Sequence, residues 1–406
     1  MIVQAKNVVD KFVLSAKTRL KAERLERKLN DDLLHDPRTC ITRRQFEVVF
    51  SSIEDKRIMS VSYEKGYPSY NYRKSFIVSC SDSDKVIYCG RVFNWMDKYF
   101  MINLINKNCE VEAIESAFMD KSKTAYPNYQ KFEDKNNLAI YQLAGYNNIL
   151  LQLGLPIERL LENFYTSYLS EEFCYSGLPI KLPKVDDGWL EKCRIIFPEL
   201  DNIARQYDTF VKEDEIDSEY LAMLPPQKMS EAKSLLMNKY YEINESNPTI
   251  KQVLFYLFAS ASLLYNIAPY KHRKYHSLVE LIIHESVGYD QYTSYQKSKI
   301  DFLIENRILK IDEEGKLRFT SVNILPALKA IWEFGSCSYW HYDKDVRKGL
   351  DELLELGLLV IDDHLLTQNE RGYFSYYTDN SEYTNGYAYR NLYAHGCTPQ
   401  ANDDNA

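Results

Sequence analysis

No C-x-x-C pair occurs among the eight cysteines, which stand at 40, 80, 89, 109, 174, 193, 337 and 397. That excludes a zinc ribbon and a thioredoxin-like redox motif, and eight cysteines in 406 residues do not describe a small disulfide-stapled fold. Reduced thiols in the cytoplasm are the simplest account. No G-x-x-x-x-G-K string is present, which argues against a P-loop nucleotide site. Positive charge is not in excess either: the formal net charge is −8, so any nucleic-acid contact must be local. The longest apolar run, Val253 to Ala268, carries Ser260, Ser262 and Asn266. It falls short of the roughly 20 residues that a membrane span needs. The N-terminus is amphipathic and charged, with no apolar signal-peptide core. A cytoplasmic protein without membrane association is therefore expected.

What is present is a chain with 45% hydrophobic residues, enough to bury real cores, and 33 tyrosines. The expected fold is mainly α and multidomain, in four segments: an N-terminal helix (1–36), a small α/β domain (37–120), a helical scaffold (121–289) and a C-terminal region (290–406). Val8, Val9, Phe12, Val13, Leu20, Leu25, Leu29 and Leu33 recur at helical spacing and predict a long helix over 2–34. Its mixed charges read as a solvated face. Arg43-Arg44-Gln45-Phe46 opens a predicted short helix to Ile53, followed by strand-like runs Arg57–Tyr63, Ser75–Cys80, Lys85–Phe93 and Tyr99–Ile105. Polar residues 121–134 read as a linker. Helices are predicted at 136–152, 156–169, 187–210, 214–223, 230–243, 249–266 and 275–286, punctuated by prolines. Around the last of these, His272, His276, Glu280 and His284 fall every four residues, but the pattern is not H-E-x-x-H. Exposed or core histidines are the better reading than a metal site.

From Tyr295 to Asn306 a helix runs into two alternating segments across Gly315, the pattern of a β-hairpin. A similar phrase follows, from Leu350 through Leu358-Leu359-Val360-Ile361 to a segment from Leu365 to Tyr377. The pair predicts two winged-helix-like units. Neither candidate helix is rich in Arg or Lys, which favours a packing role over a phosphate-contacting one.

The chain then reaches Tyr383-Thr384-Asn385-Gly386-Tyr387-Ala388-Tyr389-Arg390-Asn391-Leu392-Tyr393-Ala394-His395-Gly396. Thr384 or Asn385 can cap a helix start and Gly396 can end one. Arg390 is the only arginine with a histidine five to seven positions later. Histidine titrates near neutrality and can move a proton; arginine stays cationic and can grip two phosphate oxygens. RNA supplies its own nucleophile, the 2′-hydroxyl, so such a pair needs no metal. Tyr387, Tyr389 and Tyr393 can stack on bases. The structural alternative is a helix-terminal histidine favoured by the helix dipole, beside a solvated arginine.

The string Arg390-Asn391-x-x-x-His395-Gly396 resembles the signature of HEPN-domain ribonucleases, over the last tenth to quarter of the chain. The resemblance implies a mostly helical domain, dimerisation, and metal-independent RNA cleavage leaving a 2′,3′-cyclic phosphate, with no cofactor. It implies His395 as general base or acid, Arg390 on the phosphate and Asn391 as an orienting group. The setting it suggests is a bacterial toxin or antiphage effector acting on RNA such as tRNA, with a possible partner protein. One motif helix supplies one arginine and one histidine, so a homodimer is expected to complete the site. Pro399 and the Asn/Asp run after it do not readily extend a helix, a departure from the family pattern. The competing expectation is a scaffold or regulatory subunit, or a winged-helix nucleic-acid-binding protein.

Overall fold

The computed structural model describes residues 8–9, 12–13, 21, 24–25, 45–52, 57–104, 125–126, 130–173, 180–214, 216–225, 227–379 and 381–394. The protein is mostly helical, 54% helix and 12% strand, with small sheets. It gathers into two compact units. One holds the described residues up to Asn103, those from 125 to Ala232, and those from Glu370 on; the other holds Lys233–Asn369. Of the expected N-terminal helix, Lys21, Arg24 and Leu25 are helical, but Val8–Val9 pairs antiparallel with Phe12–Val13. Paired extended residues cannot belong to a helical stripe. The rest of that expectation lies outside the described residues.

The first unit opens with a three-stranded sheet of β1 (Glu47–Ser51), β2 (Met59–Ser62) and β3 (Ser69–Arg73). β3 is central, parallel to β1 and antiparallel to β2. The helix expected from Arg43 to Ile53 is therefore strand β1, whose Val48, Val49 and Phe50 suit a pleated surface. The strands expected at Ser75–Cys80 and Lys85–Phe93 are helices: α1 (Lys74–Ser79), α2 (Asp82–Ile87) and α3 (Cys89–Val92). In α2 a side-chain cap outweighs β-branched content. Ser81 accepts from the Asp84 amide at 3.1 Å, and Asp82 and Asp84 sit in the first turn. Instead of a strand at Tyr99–Ile105, there is a single Met96–Ile102 bridge around Asp97, which accepts from the Tyr99 and Met101 amides.

Helix α4 (Gln130–Gln152) packs on this sheet. The approach is close: a Cβ on Gly145 would stand 2.3 Å from the Phe50 ring, so glycine is required there. Tyr72, Ile77, Phe93, Tyr146, Ile149 and Leu150 form the core, joined by Leu160 of α5 (Ile157–Asn163). Gln142, itself buried, accepts from Trp95 at 2.7 Å and donates to the Tyr72 hydroxyl, satisfying polar atoms inside that core. A π-turn at Phe164–Tyr168 leads to α6 (Leu169–Phe173), then α7 (Trp189–Glu213) and α8 (Ser218–Met223), capped by Asp217.

In the second unit, the helix expected at 230–243 is replaced by strand β4 (Tyr240–Ile243) at its end. Leu235, Leu236 and Met237 are exposed, so the apolar run does not mark a buried helical stripe. α9 (Pro248–Phe258) starts on Asn247 and stops before a 3₁₀ turn at Ser260–Ser262. A repeat follows. α10 (Leu278–His284), α11 (Ser294–Glu305), β5 (Leu309–Ile311) and β6 (Leu317–Phe319) make the first copy. α12 (Leu325–Phe334), β7 (Ser336–Ser338), α13 (Lys344–Glu355) and β8 (Leu359–Asp362) make the second. Tyr289 matches Tyr339, Tyr292 matches Tyr342, Asp301 matches Asp351 and Leu309 matches Leu359, each partner standing 50 positions later. Both long helices are preceded by a 3₁₀ turn and capped by a side chain, Thr293 or Asp343.

The copies differ in where the middle strand comes from. In the first, β6 lies between β5 and a bridge at Gly288, giving the expected hairpin. In the second, β4 fills the slot between β7 and β8. The segment from Leu365 to Tyr377, expected to complete the second winged-helix-like unit, holds most of the helix α14 (Gln368–Thr378). Glu242 of β4 accepts from the Gln368 amide at 3.0 Å, holding the start of that helix.

From Glu370 the chain belongs to the first unit again. Glu370, buried, accepts from the Ile102 amide at 2.6 Å. The final described element is α15 (Tyr389–Ala394). The expected cap at Thr384 or Asn385 is absent from its start. Asn385 is used elsewhere: its side chain pairs with both the amide and the carbonyl of Tyr126, at 2.8 and 3.0 Å. The expected stop at Gly396 lies outside the described residues.

Candidate active site

Helix α15 is short, and it is held in place by α7. Two side chains of α7, one turn apart, make the attachment. Phe197 stacks on Tyr393 with ring centroids 5.5 Å apart and planes 8° from parallel, and meets Tyr389 at 5.9 Å. Asp201 takes Arg390: one carboxylate oxygen accepts from Nε at 2.6 Å and lies 2.5 Å from Nη2 as an ion pair. The side chains of Arg390 and Asp201 retain 22% and 15% of their exposure, so the pair is shielded yet reachable from solvent. Among the described residues, the Nη1 edge of the guanidinium carries no hydrogen bond.

A run of tyrosines leads up to this pair. Tyr377 of α14 stacks on Tyr387 (5.5 Å, 8°), Tyr387 on Tyr389 (5.1 Å, 17°), and Tyr389 meets Tyr393 at 6.2 Å. Tyr387 is the exposed member, at 44%. Burial pushes the Tyr389 phenol up to about 12, with Tyr387 and Tyr393 adding to it. The Tyr393 phenol is raised as well, by burial and then by Cys193. The Tyr389 and Tyr393 phenols therefore remain neutral through the physiological range and act as surfaces for stacking, not as acids.

The structure thus brings together Arg390, Tyr387, Tyr389 and Tyr393. Asn391 lies on the same helix and is partly exposed. His395 lies outside the described residues. Asp201 and Phe197 are the members that sequence reasoning missed. Asp201 stands 189 positions from Arg390, and nothing local ties them. No signal in the sequence pointed to Asp201. An open groove of the same unit, lined by Glu158, Arg159, Glu162, Lys181, Lys184 and Asp186 among others, includes none of the motif residues.

The histidine series does not form a stripe on one helix. α10 begins at Leu278, so His272 and His276 precede it, and Glu280 accepts from the His276 amide at 2.8 Å. His284 stacks on Tyr275. Among the described residues no cluster of His, Cys, Asp or Glu is arranged to hold a metal ion, and no helix is long and apolar enough to cross a membrane. Comparison with protein-family models, with curated proteins and with solved structures gives no match.

Proposed function

We propose that this chain is a metal-independent endoribonuclease of the HEPN type, working as a homodimer in a bacterial toxin or antiphage setting. His395 moves the proton of the attacking 2′-hydroxyl or of the leaving oxygen. Arg390 neutralises charge on the phosphate, Asn391 orients, and Tyr387, Tyr389 and Tyr393 offer faces to the flanking bases. The observation that carries this reading is the divided use of the Arg390 guanidinium. Asp201 fixes its Nε and Nη2 edge, and the Nη1 edge is left for an anion. A guanidinium already held in one orientation gives a phosphate a prepared partner instead of a flexible one. Because Asp201 cancels much of one arginine's charge, a second copy contributing its own Arg390 and His395 strengthens the site.

The same ion pair favours a second reading, in which Arg390 is a structural rivet between α15 and α7 and the chain is a non-catalytic scaffold. Incubation with tRNA or total RNA in EDTA separates the two. The nuclease cuts, leaves 2′,3′-cyclic phosphate ends, and loses cleavage in both Arg390→Ala and His395→Ala while remaining folded. Absence of cleavage by the wild-type protein, or cleavage undiminished in both variants, overturns the nuclease reading.

A further inference from the structure

The internal repeat provides its own control for reading surfaces. Both copies keep the same frame: a capped helix, a buried Ile300 or Leu350, and a tyrosine whose hydroxyl donates to an aspartate on that helix. The outer side of the second copy differs in identity, and Asp345 and Gly349 stand where the first has Tyr295 and Lys299. Ser294, Ser298 and Asp290 of the first copy correspond to Lys344, Lys348 and Trp340 of the second, and Lys297 corresponds to Arg347. The frame does not require Trp340, Lys344 or Lys348, since the first copy folds with Asp290, Ser294 and Ser298 in their places.

Lys344, Arg347 and Lys348 fall at i, i+3 and i+4 on the first two turns of α13, about 5–6 Å apart along one face. Among the described residues none of the three has an ion-pair partner, in a chain whose net charge is −8. Arg347 lies over the Trp340 and Tyr339 rings, at 5.2 and 5.7 Å, and its Nε is buried without a hydrogen-bond partner. Trp340 is 48% exposed, and its Nε1 donates to the Met237 carbonyl at 2.7 Å, which fixes the ring.

We infer that this face of the second repeat binds single-stranded nucleic acid, with Trp340 as a stacking platform for a base and Lys344, Arg347 and Lys348 as phosphate contacts. An exposed indole held by its own hydrogen bond, beside cations with no ion-pair partner among the described residues, is the pairing that a flexible strand requires. An acidic peptide satisfies the cations but has no use for the ring, and a bilayer surface calls for a broader basic field than three residues. This binding is independent of whether Arg390 and His395 cut RNA.

The test uses the full-length protein and a fluorescent 2′-O-methyl RNA strand, which lacks the nucleophile and cannot be cleaved. Anisotropy titrations across a salt series should show binding. Trp340→Ala should weaken it by roughly five- to a hundredfold. Lys344→Gln combined with Lys348→Gln should reduce the slope of log affinity against log salt by about 1.4, the loss of two single-strand phosphate contacts. Lys310→Gln, in the first repeat, should leave binding unchanged. The inference is overturned if the wild type does not bind, if the Trp340 and Lys344/Lys348 variants bind as the wild type does, or if polyglutamate or anionic vesicles displace the strand at equal charge. All three altered positions are at the surface, and thermal melts matching the wild type establish that the variants are folded.

Discussion

A single carboxylate oxygen of Asp201 accepts from Nε of Arg390 at 2.6 Å and lies 2.5 Å from Nη2, in a shielded position. If that geometry positions Arg390 for a phosphate, Asp201→Ala leaves the cation in place but frees it to turn. Cleavage should fall by about tenfold or more through kcat, while Arg390→Ala abolishes it. Breaking hydrogen bonds between charged groups in a partly buried setting should also cost about 1–3 kcal/mol of stability. Denaturant titration beside single-turnover cleavage separates the two effects. An Asp201→Ala protein that is destabilised but cuts at the wild-type rate would make the pair purely structural.

Tyr387 lies at the exposed end of the aromatic run, stacked on Tyr377 and Tyr389. As a base platform, its ring matters and its hydroxyl does not. Tyr387→Ala should raise KM for RNA by roughly fivefold or more with little change in kcat, and Tyr387→Phe should behave as wild type. Equal kinetics for the Ala and wild-type proteins would remove Tyr387 from the substrate path.

Gly386 precedes this ring and has no room for a side chain. A Cβ there would stand 2.8 Å from the Tyr376 carbonyl oxygen and 3.1 Å from that of Asp379. Both neighbours are backbone, so relief requires the segment itself to move. Gly386→Ala should destabilise the protein by about 1–3 kcal/mol, seen as a lower thermal midpoint. It should also reduce cleavage, because the same backbone carries Tyr387 into its stack.

Asp379 ties the end of α14 to the following turn. Burial disfavours its charge, but donation from the Ser381 hydroxyl and amide, from Ser375, and the nearby Lys228 cation hold its carboxyl below the usual value. A depressed folded-state value means that the stabilisation is fully present above about 3.9, the unfolded value, and is lost as pH falls through the folded one. Stability should therefore decline at the acid end, and Asp379→Asn should flatten that limb while lowering stability at neutral pH. Denaturant midpoints measured from pH 2 to 7, roughly the range in which carboxyl groups titrate, test this. An unchanged acid limb in the variant would rule it out.

How much of this was legible in the sequence depends on how locally each element is specified. The hairpin across Gly315 was readable because alternation and turn chemistry lie within a few residues. β3 was missed because Ser69-Tyr70-Asn71-Tyr72-Arg73 holds no aliphatic residue, and its central place depends on two partners distant in the chain. α1 and α2 were misread as strands because Phe76, Ile77, Val78, Val86 and Ile87 favour β structure; a serine cap marks the start of α2, and α1 has no side-chain cap. In the second repeat, the helical phrase and β8 were visible, but β4 could not be assigned from its own residues. At the candidate site, the motif named Arg390 and the tyrosines, whereas Asp201 carries no mark of its partner.

The repeat also sets up a direct comparison of buried hydrogen bonds. Asp301 accepts from one phenol, that of Tyr289, at 2.7 Å. Asp351, at the matching position, accepts from two: Tyr241 at 2.6 Å and Tyr339 at 3.0 Å, whose rings stack 4.6 Å apart. Tyr241 comes from β4, the strand that the second copy borrows, and it is almost fully buried. Its phenol is pushed up, first by burial and then by Asp351. Removing Asp351 leaves two donors without an acceptor, one of them shut away from water; removing Asp301 leaves one. Asp351→Ala should therefore cost about 1–3 kcal/mol more than Asp301→Ala in chemical denaturation. Adding Tyr241→Phe to Asp351→Ala should recover part of that loss, because an unpaired hydroxyl is then no longer buried. If the two aspartates cost the same, Tyr241 does not hold β4 to the repeat through Asp351, and packing of the stacked rings alone must secure the borrowed strand.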